Sequence, residues 1–449
     1  MTKKAGPCSV LSRKNRGRFI FLVFSIFSLV VLMSQESYAV PAFARKYHTA
    51  CSTCHIAFPA RNGFGEAFRN NGYRFPNETD DEMVKEEPIK LGQDAYKEIF
   101  PNAIWPSDLP NMPSLGFLGS TTISQAKDRR TGKFQDVVID EEIGVFFAGT
   151  ITHQISYFGD FALNSDAASL GRLIMLWAFQ PGLNFALGDV GFPEIFTTVS
   201  SRPSGGRDSY STSLPNPNRG VELRYVGNTG TSGGYSLLAG VGRQSPPGKD
   251  AAGVERTGTL TDTKYARGTL KIGGNGLLSG VGGTLGINEI GLDNSVTLGV
   301  NYFNSEKGGE AASSDFRENV VVGRAKSAYS GDITANYGHF RAVAQYAKFN
   351  EVLEGGVDYG QRDALSVEGT YWVYPWLYGV LRYERIQDNL NGKVSKIIPA
   401  IGALLRPNAK IGLEYVSAKT NDIADGFDAT GVPMTSATNS ITFFAQLGF

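Results

Sequence analysis

The sequence predicts a mainly β chain: a transmembrane antiparallel β-barrel of about 16 strands (16–18) over residues 114–449, with a small α-helical unit ahead of it. Three observations carry that expectation. Apolar and polar residues alternate in segments of about ten residues that recur through the later part of the chain, as in strands with lipid on one face and water on the other. The composition is rich in Gly (54 residues) and aromatics (11%) and poor in charge (19%), which suits many strands and turns better than a helical enzyme. The last strand, Ile441 to Phe449, alternates and is aromatic, and resembles the C-terminal recognition signal of outer-membrane barrels.

The elements follow in chain order. Residues 1–39 read as a secretory leader. Basic residues end at Arg18, an apolar run extends from Phe19 to Met33, and Ser37-Tyr38-Ala39 supplies small residues for cleavage after Ala39. The run is short for a helix spanning a bilayer, which needs about 20 residues. The leader takes six of the 43 basic side chains and one of the 43 acidic ones, so the remainder is acidic by five. No nucleic-acid partner is expected of such a balance, because phosphates call for a basic surface. Cys8 leaves with the leader, and Cys51 and Cys54 are the cysteines that remain.

Those two stand in Cys51-Ser52-Thr53-Cys54-His55. A CxxC spacing is open to a redox dithiol, half a zinc site or a simple disulfide. A dithiol enzyme needs a surrounding βαβ unit, and a zinc site needs further ligands close by; neither is visible. With export and a His directly after the second Cys, the pattern fits covalent attachment of one c-type haem. Cys51 and Cys54 would form thioethers to it, and His55 would ligate the iron with its other ring nitrogen bound to a carbonyl. Phe64, Phe68 and Tyr73 either wall the haem face or serve as ordinary core aromatics. The sixth iron position stays open: His48, three residues before Cys51, is one candidate, with Met83, Met112, His153, His339 or an open site as the others. Residues 40–76 are too few for a strong core of their own, so haem and a docking surface must stabilise them.

Ala42-Phe43-Ala44-Arg45, the CSTCH motif, Phe58-Pro59, Phe64-Gly65, Phe68 and Asn71-Gly72-Tyr73 together resemble the N-terminus of the fused monohaem cytochrome–porin family. The resemblance covers about 35 residues and implies a C-terminal outer-membrane barrel. It also implies relatives among outer-membrane iron oxidases, although similar N-termini occur in metal-reducing and other respiring bacteria. The redox substrate, the direction of electron flow and an oxidoreductase activity on iron are therefore left open.

Residues 77–113 read as a linker, acidic over 77–90 and broken by Pro101, Pro106, Pro110 and Pro113. Beyond Ser114, Val221, Leu223 and Tyr225 alternate with Glu222 and Arg224, and Ile411, Leu413 and Tyr415 with Lys410, Gly412 and Glu414. Tight turns fall near His153, Pro181, Gly338, Pro375 and Pro407, and longer polar stretches fall between them. If 279–288 and 316–325 are both strands the count is about 18; if neither is, about 16. Bacterial barrels have short periplasmic turns, so both barrel ends and the entering N-terminal unit are expected on the periplasmic side. Inward charges such as Glu222, Arg224, Arg267, Lys271 and Glu414 would line a lumen that the haem unit plugs; the alternative is a unit hanging in the periplasm on the acidic tether. The function expected is an outer-membrane electron conduit between periplasmic cytochromes and an extracellular partner, ferrous iron being one choice. A diffusion porin with the haem unit as plug or redox gate, and a haem enzyme with an open sixth position, are the alternatives.

Overall fold

A computed structural model describes residues 42–57, 60–76, 80–83, 89–90, 108–109, 114–127, 132–151, 154–164, 168–190, 219–229, 232–243, 263–279, 290–309, 324–352, 358–388, 392–421 and 439–448. The leader, Phe58, Pro59, Met112, His153 and most of the linker lie outside them. Sixteen antiparallel strands close a barrel: β5 Ser114–Lys127, β6 Val138–Thr150, β7 Ile155–Asn164, β8 Ala168–Gln180, β9 Leu183–Gly188, β10 Arg219–Thr229, β11 Ser232–Arg243, β12 Thr263–Asn275, β13 Ser295–Gly309, β14 Arg324–Tyr337, β15 Phe340–Val352, β16 Asp358–Tyr374, β17 Leu377–Asp388, β18 Gly392–Arg406, β19 Ala409–Asn421 and β20 Asn439–Gly448. Each strand pairs with its sequence neighbours, and β20 pairs with β5 from Gly448↔Leu118 to Asn439↔Lys127. Closure removes the unpaired edges that could not survive in hydrocarbon.

The count settles at the lower end of the expected range. Strands β12 and β13 pair directly, as do β13 and β14, which gives sixteen; most of 279–288 and 316–325 lies outside the described residues. One end of the barrel carries two-residue connections at 181–182, 230–231, 338–339, 375–376 and 407–408. The longer 276–294 connection also lies there, while 189–218, 244–262, 310–323 and 422–438 fall at the opposite end.

The period of two decides which face meets lipid. Leu237, Val300 and Leu381 point outward and are 58%, 66% and 60% exposed. Their strand neighbours Leu238, Asn301 and Arg382 are buried in the lumen. Apolar side chains exposed all round a closed barrel make this a transmembrane, outer-membrane type of barrel. Trp177, Tyr337, Phe340, Tyr371, Tyr374 and Trp376 ring its tight-turn end, where amphipathic rings match the headgroup level. Trp372 and Tyr378, from the same stretch, point inward and are fully buried.

A labelling prediction follows from the loop asymmetry. Cysteines placed in 191–218 or 422–437 of intact cells react with an impermeant maleimide, and one at Gly338 does not. The reverse pattern would invert the barrel.

Candidate functional site: the CxxCH segment in the barrel lumen

The N-terminal segment comprises α1 Ala42–Tyr47, α2 Cys51–Cys54, β1 His55–Ala57, β2 Ala60–Arg61 and α3 Gly63–Asn70. The CxxC portion is one helical turn, buried at Cys51, Ser52 and Thr53, and His55 leaves it in extended conformation. Strand β1 then folds back on β2, which sets Arg61 opposite His55.

Asn62 organises the motif. Its side-chain Nδ2 donates to the carbonyls of Ser52 (3.1 Å) and Thr53 (3.0 Å), and its backbone N–H donates to that of Cys54 (3.0 Å). Its Oδ1 accepts from Gly65 N at 2.9 Å, which caps α3. The carbonyls that a one-turn helix leaves open are thus closed by one buried residue. Helix α3 packs so tightly on the motif that a Cβ at Gly65 would lie 2.2 Å from the Cys54 oxygen. Asn62→Ala is expected to destabilise the segment by about 2–4 kcal/mol, from the lost cap and the buried carbonyls left without donors. Protease sensitivity confined to residues 42–76, in a barrel that still shows heat-modifiable gel migration, would show it; unchanged sensitivity would contradict it.

Both cysteines are free thiols. Burial, then the proximity of Cys51, pushes the Cys54 thiol up to about 12 against the pull of Arg61. Burial raises Cys51 as well, against a backbone hydrogen bond. Burial also works to raise the Glu66 carboxyl, but the Arg61 and Arg69 guanidiniums outweigh it and hold the group below its usual range; Arg61 Nε binds Glu66 Oε1 at 2.8 Å.

The aromatics meet one another. Phe43 stacks on Tyr73 (5.3 Å) and meets Phe68 edge-on (5.1 Å), Tyr47 contacts Phe68 and Phe75, and Phe64 contacts Phe75. Phe64, Phe68 and Tyr73 therefore build this unit's own small core. His48 is exposed, in a left-handed turn (φ 49°) between α1 and α2. Met83 and His339 are exposed too, and His339 Nδ1 lies 3.0 Å from the Trp372 carbonyl. The sequence pointed to the thiols and His55 but missed Asn62, whose one signal is an Asn ahead of the α3 helix.

The segment occupies the tight-turn end of the lumen and touches the wall on several sides. Lys46 Nζ donates to Thr150 Oγ1 at the end of β6 (3.1 Å). Ser156 of β7 donates to the Gly72 carbonyl (2.6 Å), and Asn184 of β9 to that of Asn70 (2.7 Å). Asn70 Nδ2 donates to the Leu277 carbonyl, past β12 (3.0 Å). Tyr73 stacks on Phe158 of β7 at 5.9 Å. On the far wall, Ile56 and Ala60 pack with Trp372, Tyr378, Val380 and Leu404 of β16–β18. Contacts from β6 round to β18 mean that the segment spans the bore at this level.

Expected luminal charges point inward and are buried: Glu222, Arg224, Arg267, Lys271 and Glu414. Glu222 is ion-paired with Arg224 and accepts from Tyr265 at 2.8 Å. Arg267 binds Asp332 (2.5 Å) and Lys271 binds Asp293 (2.6 Å). On β16 and β17, Arg382 bridges Glu368 and Glu384. Such pairing is what buried charge requires. Among the described residues, no cluster of three His, Cys, Asp or Glu side chains is arranged to hold a metal ion.

The donor set fits a c-type haem: two thiols free of any disulfide on one turn, followed at once by an imidazole. No protein-family model matches the chain, and no curated protein does. Solved structures with a similar course include an anion-selective porin from Comamonas acidovorans (10% identity, TM-score 0.48, 75% of this chain and 99% of that one). Also similar are Salmonella typhi OmpF (12%, 0.46, 75% and 98%) and OmpT of Vibrio cholerae (16%, 0.43, 75% and 97%).

Proposed function

We propose that this porin-like outer-membrane barrel is an electron conduit, with one c-type haem held inside its lumen by Cys51, Cys54 and His55. The observation that carries the reading is the place of the segment that holds the CxxCH turn, within the bore and packed against its wall through Ile56, Ala60, Asn70 and Gly72 rather than free on a tether. An apolar band about 25 Å tall is too thick for a cofactor lying wholly to one side of it to serve both. When bound, the haem would supply one-electron iron cycling. The chain's part is to hold and insulate. Asn62 fixes the turn that carries both thiols, Arg61 stands beside His55, and the Phe43–Phe68–Tyr73 core keeps water from one side of the unit. The tight-turn end faces the periplasm by the loop rule, which puts the site within reach of periplasmic cytochromes. An extracellular donor or acceptor small enough to enter the lumen from the long-loop end, ferrous iron among them, exchanges electrons at the site itself.

A second reading is a diffusion channel with the same segment as plug or redox gate. The porin-like wall speaks for it more directly than for electron transfer. Liposomes holding the purified full-length protein and a trapped cytochrome separate the two. An impermeant external reductant reduces the trapped cytochrome if the protein conducts electrons. If small solutes equilibrate while the trapped cytochrome stays oxidised, the channel reading replaces the conduit.

A further inference from the structure

The lumen wall beside the motif holds buried donors that nothing in the chain receives. Trp372 and Tyr378 face each other across β16 and β17, with ring centroids 6.0 Å apart and exposures of 0% and 1%. Arg341, on the inward face of β15 and 4% exposed, sets its guanidinium 5.8 Å from the Trp372 ring centre. Trp372 Nε1, Tyr378 Oη and Arg341 Nη1 are all buried without a hydrogen-bond partner. A Cβ at Gly402 would fall 2.5 Å from the Tyr378 hydroxyl, so a glycine makes the room for that group. Buried donors left unsatisfied are costly, and three around one indole point to an absent acceptor.

The donor chemistry names its class. Indole and guanidinium nitrogens only donate, so the partner accepts; Arg341 Nε already donates to Asn336 Oδ1 (3.0 Å), which leaves Nη1, and the guanidinium charge favours an anionic acceptor. Carboxylates of the chain in this region are already engaged. Glu368 accepts from Arg382 and Thr370, Asp293 from Lys271 and Ser295, and Glu66 from Arg61. What packs on Trp372 and Tyr378 is Ile56, the residue after His55, together with Ala60.

We propose that Arg341, Trp372 and Tyr378 form the receptor for the propionate carboxylates of the haem attached at Cys51 and Cys54. This rests on the haem reading above. It makes the wall, and not the small segment alone, a determinant of the cofactor's charge environment. Donors to a carboxylate favour its ionised form and lower its pKa. Their removal leaves negative charge near the iron uncompensated, which favours the ferric state, and it moves propionate titration to higher pH.

The test uses full-length protein from outer membranes, as Trp372→Phe with Arg341→Gln, and as Tyr378→Phe and Arg341→Gln alone. Heat-modifiable migration verifies the barrel, haem stain on denaturing gels reads attachment, and spectroelectrochemistry against pH reads the environment. All variants are expected to keep the stain. At fixed applied potential the ferric-to-ferrous ratio of the double variant rises about tenfold, a fall of about 59 mV for a one-electron couple, with its pH step displaced upward. Stained variants with wild-type potential and pH step would overturn the receptor and leave attachment standing. Wild-type protein without stain would overturn the haem reading and the receptor with it. The single variants preserve most of the packing and give the same reading if the double variant does not fold.

Discussion

Replacing Cys51 and Cys54 together with Ala is expected to abolish the covalent haem that the proposed attachment requires. Thioether bonds survive denaturation, and the two sulfurs concerned are the free thiols of the CxxCH turn. The expected effect on haem-stained denaturing gels is complete loss, with either single variant retaining one attachment point. The barrel should be unaffected, because its closure rests on strand pairing from β5 round to β20. Stain persisting in the double variant would place the cofactor elsewhere or show it to be noncovalent.

Deleting residues 40–113 is expected to raise single-channel conductance severalfold in planar bilayers. A barrel of about 16 strands leaves an aqueous channel when nothing fills it. Here the described segment bridges the bore at its tight-turn end through Lys46–Thr150, Gly72–Ser156, Asn70–Asn184 and the contact of Ile56 and Ala60 with β16–β18. The wall's ion pairs are its own, so they persist in the shortened protein. Equal conductance before and after deletion would show that the segment is not what closes the lumen.

The barrel was legible because each strand face meets a single medium. Glu222 and Arg224 are buried in the lumen while Leu223 and Tyr225 are exposed between them, as alternation alone requires. The first barrel strand starts at Ser114, just past Pro113, where the proline-broken stretch ends. Strand number was harder to read, since the 279–288 and 316–325 stretches share the strand pattern; the direct pairing of β12 with β13 and of β13 with β14 gives sixteen. Aromatics suit both the lipid interface and a packed lumen, so composition could not divide Tyr371 from Trp372. Tyr371 points out and Trp372 and Tyr378 point in, while the alternation breaks at the turn, where Tyr374 and Trp376 are both exposed.

The site was legible only where chemistry is written in adjacent residues. Cys51, Cys54 and His55 lie within five positions, whereas Asn62 acts by folding back onto Ser52, Thr53 and Cys54. Arg341, Trp372 and Tyr378 stand some 300 residues from the motif, and barrel closure together with the packing of Ile56 brings them to it. The luminal charges read from the sequence gave no guide to that place: Glu222, Arg267 and Lys271 pair within the wall, Arg341 was not among them, and Trp372 and Tyr378 look apolar in sequence.

A redox-difference spectrum of intact cells exposed to ferrous iron, or to another reductant that cannot cross the outer membrane, tests the conduit most directly. The account predicts a ferrous c-type haem band that appears on adding the external donor and is absent from cells carrying the Cys51→Ala, Cys54→Ala variant. Haem that stays oxidised with the impermeant donor, yet is reduced at once by a permeant one, would contradict it.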